Sequence, residues 1–222
     1  MEEKNINVEV KENQKSRIIG LHLLRSMAII YPVLIIIAIL NYPEPYSIFD
    51  YISNLGAATS GTGLSNTTSQ VIYNAGLTIN LIICMYVGIR YLLYKTKLDI
   101  IKGIFLILSS IGCGLLFFPC DDNILNWFHR FGGIFFLLGF VFFLFFCQYM
   151  RDENGKLSFD TKESVKFTFD KIFYIVIVLI SLSYLVVYII GLWEYAGLIQ
   201  KVLLTGMFIG IFILDKEDLW GD

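Results

Sequence analysis

The sequence predicts an all-α, polytopic membrane protein: a bundle of six transmembrane helices with one long loop capping its outer end. Three observations carry that expectation. Of 222 residues, 56% are hydrophobic and only 16% charged, where soluble domains run near a half and a quarter. The apolar residues gather into six blocks of about 19 to 25 residues, each long enough to cross ~30 Å of hydrocarbon. Of the connections between those blocks, only alternate ones carry Lys and Arg, as when positive charge is kept on the cytoplasmic side. A soluble enzyme, a disulfide-built secreted domain and a disordered chain are thereby excluded. The net charge of −2, with no basic cluster away from the membrane ends, excludes nucleic acid as a partner. Membrane lipids are the expected partners.

In hydrocarbon the backbone must satisfy itself, so the blocks are helices; the ~10-residue alternating segments of a barrel are absent. Residues 1–17 form a short segment bearing Lys4, Lys11, Lys15 and Arg17, and Arg25 lies just inside the first span, 18–40. That span is longer than the ~7–15-residue core of a signal peptide, and Asn41-Tyr42-Pro43-Glu44-Pro45 is no small-residue cleavage site, so it stays as an anchor. The second span, 70–94, carries Gln70, Asn74 and Thr78 on one face, with Tyr73, Asn80 and Cys84 beside them. The third, 100–118, has the small pair Ser110 and Gly114; the fourth, 127–150, is rich in Phe and thinned at its head by Gly132 and Gly133. A Tyr174, Ser181, Tyr184 and Tyr188 stripe marks the fifth, 172–192, and a Gly206/Gly210 pair the sixth, 195–214. Small residues of this kind admit close helix approach. Residues 215–222 are an acidic tail. The spans and the 18–214 domain they make leave the four cysteines with no expected disulfide, since Cys84, Cys113 and Cys147 lie in spans and Cys120 stands alone near the outside.

Orientation follows from charge. Lys95 and Lys97, flanked by Arg90 and Lys102, sit between spans two and three; Arg151, Lys156, Lys162 and Lys166 sit between four and five. The connections 41–69, 119–126 and 192–195 contain no Lys or Arg. Both termini are therefore expected in the cytoplasm and those three loops outside the cell membrane.

The 41–69 loop mixes helix-stopping Pro43 and Pro45 with Tyr42, Tyr46, Phe49, Tyr51, Ile52 and Leu55, which predicts a segment folded onto the bundle mouth. Asn66-Thr67-Thr68 is an N-glycosylation pattern, expected to be idle. Phe49-Asp50-Tyr51-Ile52-Ser53-Asn54-Leu55-Gly56, then Tyr73-Asn74-Ala75-Gly76-Leu77, then Phe118-Pro119-Cys120-Asp121 with His129 at the head of the fourth span, occur in that order. In those motifs and their placement the chain resembles the membrane family known as domain of unknown function 998, over roughly residues 18 to 215, and more distantly the DRAM-type membrane proteins. The resemblance implies a six-span membrane protein without an assigned reaction.

Asp50, Asp121, Asp122, His129, Arg130, Glu194 and Lys201 share a depth at the outer mouth. They read either as an ion-paired collar pinning the loop or as a functional site. Carboxylates with one imidazole suit Mg or Ca better than zinc, without specifying a metal, so no cofactor is assigned. The leading expectation is non-catalytic binding of a lipid or other amphiphile from the outer leaflet. Its tail would enter the bundle and its head group would meet Arg130 and Lys201, with Asp50, Asn74 and Tyr188 as further contacts. The alternative is a membrane-embedded lipid hydrolase, metal-dependent or built on a Ser53–His129–Asp121 arrangement. A proton-coupled transporter is disfavoured because no Asp or Glu lies near a span centre.

Overall fold

The structure, a computed structural model, describes residues 2–94, 96–118, 120, 125–147, 149–151, 157–159 and 165–214; for 2–14, 149–151, 157–159, 165–171 and 193–194 it describes the backbone alone. The helices are α1 (Glu2–Leu40), α2 (Thr67–Leu93), α3 (Lys97–Leu115), α4 (Leu125–Cys147), α5 (Val165–Ile190) and α6 (Trp193–Ile213). Six stretches within them are long and apolar enough to cross a membrane: Lys15–Leu40, Thr67–Leu93, Lys97–Leu115, Leu125–Cys147, Ile172–Ile190 and Tyr195–Ile213. The chain is a multi-pass membrane protein. The expected spans differ from these only at their ends, by a few residues, because composition locates a span while capping sets its limits. Thr96 is such a cap: its hydroxyl oxygen accepts from the Asp99 amide at 3.1 Å. Between α4 and α5 lies an antiparallel pair that the apolar pattern does not signal, β1 (Tyr149–Arg151) with β2 (Leu157–Phe159).

The helices pack in chain order and close on themselves, α6 returning to α1, with α4 and α6 also meeting. Tyr31 of α1 lies near the centre, edge-on to Phe136 of α4 at 6.3 Å and to Phe208 of α6 at 5.9 Å between ring centroids. Gly76 makes room for its ring, since a Cβ there would lie 2.7 Å from Tyr31 Cδ2. Helix contact is closest between α3 and α4. A Cβ on Gly112 would strike the backbone nitrogen of Phe136, and one on Gly139 would lie 2.7 Å from the Ser109 nitrogen. Gly132 is equally tight, yet Gly133 has nothing nearer than 3.9 Å, and Gly114 nothing nearer than 3.5 Å. The close approaches thus fall largely on glycines other than the pairs that spacing suggests, because which face a helix turns inward is decided by its neighbours.

Hydroxyls supply several of the interhelical hydrogen bonds. Ser109 donates to the Phe136 carbonyl at 3.0 Å, Ser110 to that of Leu81 at 2.8 Å, and Tyr174 to that of Gly210 at 2.7 Å. Asn80 does not share in this: it is fully buried in α2 with neither amide atom partnered among the described residues.

The end of the bundle that carries the termini is closed by charge. Arg17 donates to Asp99 through both terminal nitrogens, at 3.2 and 2.8 Å, and the carboxylate is fully buried. The guanidinium also lies 4.4 Å from the Tyr94 ring centroid, and the Thr96 hydroxyl donates to Asp99 at 2.6 Å. Lys102 is buried beside Tyr91. Arg25 caps α6, donating to the Leu214 carbonyl at 2.6 Å.

Two outcomes follow. Gly112→Ala lowers stability by ~2 kcal/mol or more through overpacking, while Gly133→Ala stays within ~0.5 kcal/mol, read from thermal denaturation in detergent. Asp99→Asn costs ~3–5 kcal/mol because it removes the countercharge of a buried guanidinium, and the double replacement Arg17→Met with Asp99→Leu recovers most of that loss.

Candidate functional site at the loop end

At the opposite end the 41–66 segment leaves α1 after Asn41, whose side chain donates back to the Ile37 carbonyl at 2.8 Å. A non-helical segment needs partners for its backbone, and neighbouring side chains supply them. Lys201 of α6 donates to the carbonyls of Ile48, at 2.9 Å, and Asp50. The next residue back, Gln200, accepts from the Ile52 amide at 3.0 Å. Tyr46 donates to the Tyr51 carbonyl at 2.8 Å, and burial together with the Asp50 charge pushes its hydroxyl upward in pKa, so it stays a donor. The carbonyl of Phe49 lies against Gly197, where a Cβ would collide with it.

The segment then forms a short 3-10 helix, Ile52–Gly56, which drives Ile52 and Leu55 into the core. Three side chains hold its far end. Asn66 donates to the carbonyls of Leu55 and Ala57 at 3.1 and 2.9 Å. Ser69 also reaches the Leu55 carbonyl at 3.3 Å, and Gln70 that of Gly56 at 3.1 Å. The glycosylation pattern is therefore occupied structurally: the Asn66 amide is buried and committed to the backbone.

This arrangement forms a half-open cavity of about 210 Å³ between the loop, α4, α5 and α6. Tyr51, Ser53 and Asn54 face it from the loop; Asn126, His129, Arg130 and Gly133 from α4; Tyr184 and Tyr188 from α5. Gln200 of α6 and Leu116 and Cys120 after α3 complete the wall.

His129 is only 5% exposed. Its Nδ1 lies 2.7 Å from the Phe118 carbonyl oxygen. A carbonyl only accepts, so Nδ1 carries the hydrogen, and in the neutral form of the ring Nε2 then carries the lone pair. That Nε2 is buried and has no hydrogen-bond partner among the described residues. Beside it, Arg130 donates from Nε to Asn126 at 3.3 Å, with its guanidinium 5.8 Å from the Trp127 ring centroid and 5.9 Å from that of Tyr188. Burial raises the pKa of the Tyr51 hydroxyl, as does the neighbouring Tyr188, against the pull of Arg130. Tyr51 is thus a neutral hydroxyl near pH 7.

Of the residues singled out from sequence, Ser53, His129, Arg130 and Tyr188 meet at the cavity. Asp50 and Lys201 do not line it. The Asp50 carboxylate accepts from the Ser47 amide at 2.6 Å, and Lys201 is bound to loop carbonyls. The Lys201 ammonium pins the loop through backbone oxygens, where the collar reading expected carboxylates. Asn74 lies behind the loop, next to Gly56. Asp121 and Asp122 lie outside the described residues, as does the Glu194 side chain. Among the described residues, no three His, Cys, Asp or Glu gather as metal ligands would. Tyr51, Asn54 and Gln200 went unassigned in the sequence reading; the signal for Gln200 was a polar residue next to Lys201 within an apolar span.

Asn66→Ala leaves two buried carbonyls short of a donor and costs ~1–3 kcal/mol, read as a lower melting temperature. The wild-type protein made through a eukaryotic secretory pathway keeps its gel mobility after N-glycosidase treatment.

Compared with known protein families, with curated proteins and with solved structures, the chain matches none, so the reading of this cavity rests on its own geometry.

Proposed function

We propose that this protein binds the head group of an anionic amphiphile in the loop-end cavity, from the outer leaflet, without chemical change. The observation that carries the reading is that Arg130 and His129 line the same cavity, and that the buried Nε2 of His129 has no hydrogen-bond partner among the described residues. A buried acceptor without a partner costs ~1–3 kcal/mol, and a ligand that supplies the partner recovers it. The α4 helix begins at this end, so its dipole adds to the attraction for an anion. At about 210 Å³ the cavity is below the ~300 Å³ of the smallest usual ligand pockets. That volume suits a head group and leaves the acyl chains in the bilayer. Lys201, committed to the loop, is a support of the site in this reading.

The outward placement rests on charge sorting, with both termini in the cytoplasm of the cell membrane. Kinship with the domain of unknown function 998 family belongs to the same proposal. It is supported by the residues that carry the resemblance, since Tyr51, Ser53, Asn54, Cys120 and His129 all face the cavity.

A second reading has one specific support. A histidine held by Nδ1, lining a cavity that Ser53 also lines and with Nε2 unpartnered among the described residues, is the half of a nucleophile–base arrangement that a lipid hydrolase needs. Labelling of Ser53 by a fluorophosphonate, abolished by His129→Ala, would favour it; a protein inert to the probe stays with the binding reading.

Detergent-purified protein is expected to retain anionic lipid in native mass spectrometry. Arg130→Gln is expected to weaken that retention ~10- to 100-fold, as losing a charge-assisted hydrogen bond does, while the melting temperature stays within a few degrees. A preparation that carries no lipid, together with an Arg130→Gln variant that merely unfolds, would refute the proposal.

A further inference from the structure

The apex of the loop, Ser47-Ile48-Phe49-Asp50, is a tight turn that consumes most of its own backbone polar groups. The Asp50 amide donates to the Ser47 carbonyl at 3.1 Å. The Ser47 amide donates to the Asp50 carboxylate at 2.6 Å, and the Phe49 amide to the Ser47 hydroxyl oxygen at 3.2 Å. Lys201 takes the carbonyls of Ile48 and Asp50. With those groups satisfied, the turn escapes most of the cost that bars irregular backbone from hydrocarbon.

Its contacts on α6 fix its depth. The Phe49 carbonyl lies against Gly197, and Gln200 accepts from the Ile52 amide at 3.0 Å. Gly197 and Lys201 lie inside the apolar stretch Tyr195–Ile213, ~3 and ~9 Å past its first residue at ~1.5 Å of rise per residue. The other side of the loop agrees, since Gly56 lies against the ring of Tyr73, well inside the stretch Thr67–Leu93. At this depth Ile48 and Phe49 are nevertheless 59% and 49% exposed. Apolar side chains that the protein leaves uncovered at the level of a spanning helix face lipid.

We infer that the 47–50 turn is a re-entrant anchor seated in the leaflet at the loop end, with Ile48 and Phe49 against lipid and Lys201 holding it at depth. The inference stands apart from the head-group reading and uses none of the residues that line the cavity.

Leu64 supplies an internal comparison. It is 51% exposed in the same loop, among the exposed Gly61, Thr62, Gly63 and Ser65, where water is its surroundings. The full-length protein in phosphatidylcholine nanodiscs is treated with hydroxyl radicals generated in the bulk water, and oxidation is read by peptide mass spectrometry. Leu64 is expected to be oxidised and Phe49 to be protected several-fold relative to it, although an aromatic ring is the more reactive target. Phe49 oxidised as readily as Leu64 overturns the anchor. A nitroxide on Phe49→Cys, in a Cys120→Ser background, separates lipid from protein as the cover. Relaxation by oxygen above that by a water-soluble nickel chelate is expected, and a label shielded from both overturns the lipid contact. Lys201→Met is expected to raise Phe49 oxidation towards that of Leu64, while Lys201→Arg keeps the protection. Undiminished protection in Lys201→Met overturns the role given to Lys201. The wild-type comparison decides the anchor even where Lys201→Met fails to fold.

Discussion

A stretch of chain that lies against a membrane bundle without being a helix has no ladder of its own to satisfy its backbone, and near hydrocarbon each orphaned group costs several kcal/mol. Residues 41–66 meet this constraint with side chains borrowed from the helices. Lys201 takes the carbonyls of Ile48 and Asp50, Gln200 the amide of Ile52, and Gln70 and Ser69 the carbonyls of Gly56 and Leu55. Asn66, the residue just before α2, binds two more. These bonds seat the loop on the helices. Seated there, Tyr51, Ser53 and Asn54 become one wall of a cavity.

The two ends of the bundle treat polar groups differently. At the termini end Arg17, Asp99 and Thr96 satisfy one another, with the guanidinium laid over Tyr94. Such a pair gives little net stability over apolar packing but is severe to break, so it holds α1 to α3 as a structural clasp. At the loop end His129 is held by one ring nitrogen and left open at the other. A group that is oriented yet unpartnered is preorganised for something that arrives from outside. That contrast is the reason the proposed site lies at the loop end.

Much of the architecture could be read from residue order alone. Apolar runs of span length admit one solution in hydrocarbon, so the six helices and their sequence positions follow from composition. The candidate site was legible in part. His129, Arg130, Ser53 and Tyr188 stand out because a polar group near a membrane is costly and so draws notice. Lys201 draws the same notice and serves the loop instead, since a charge in sequence does not reveal whether its partner is a ligand or a backbone carbonyl. Asn66 gave a modification motif in one dimension and a buried clamp in three.

What the sequence determined by itself is the number of crossings, their extents and the residue types available at each end, because these depend on free energies of transfer that each segment carries alone. Tertiary structure decided which groups face one another: that Gly112 and Gly139 carry the tightest helix contact, that Lys201 is spent on carbonyls, and that His129 lines a cavity with its Nε2 buried. Those are pairwise outcomes of helix rotation and loop seating, and no single segment contains the information that fixes them.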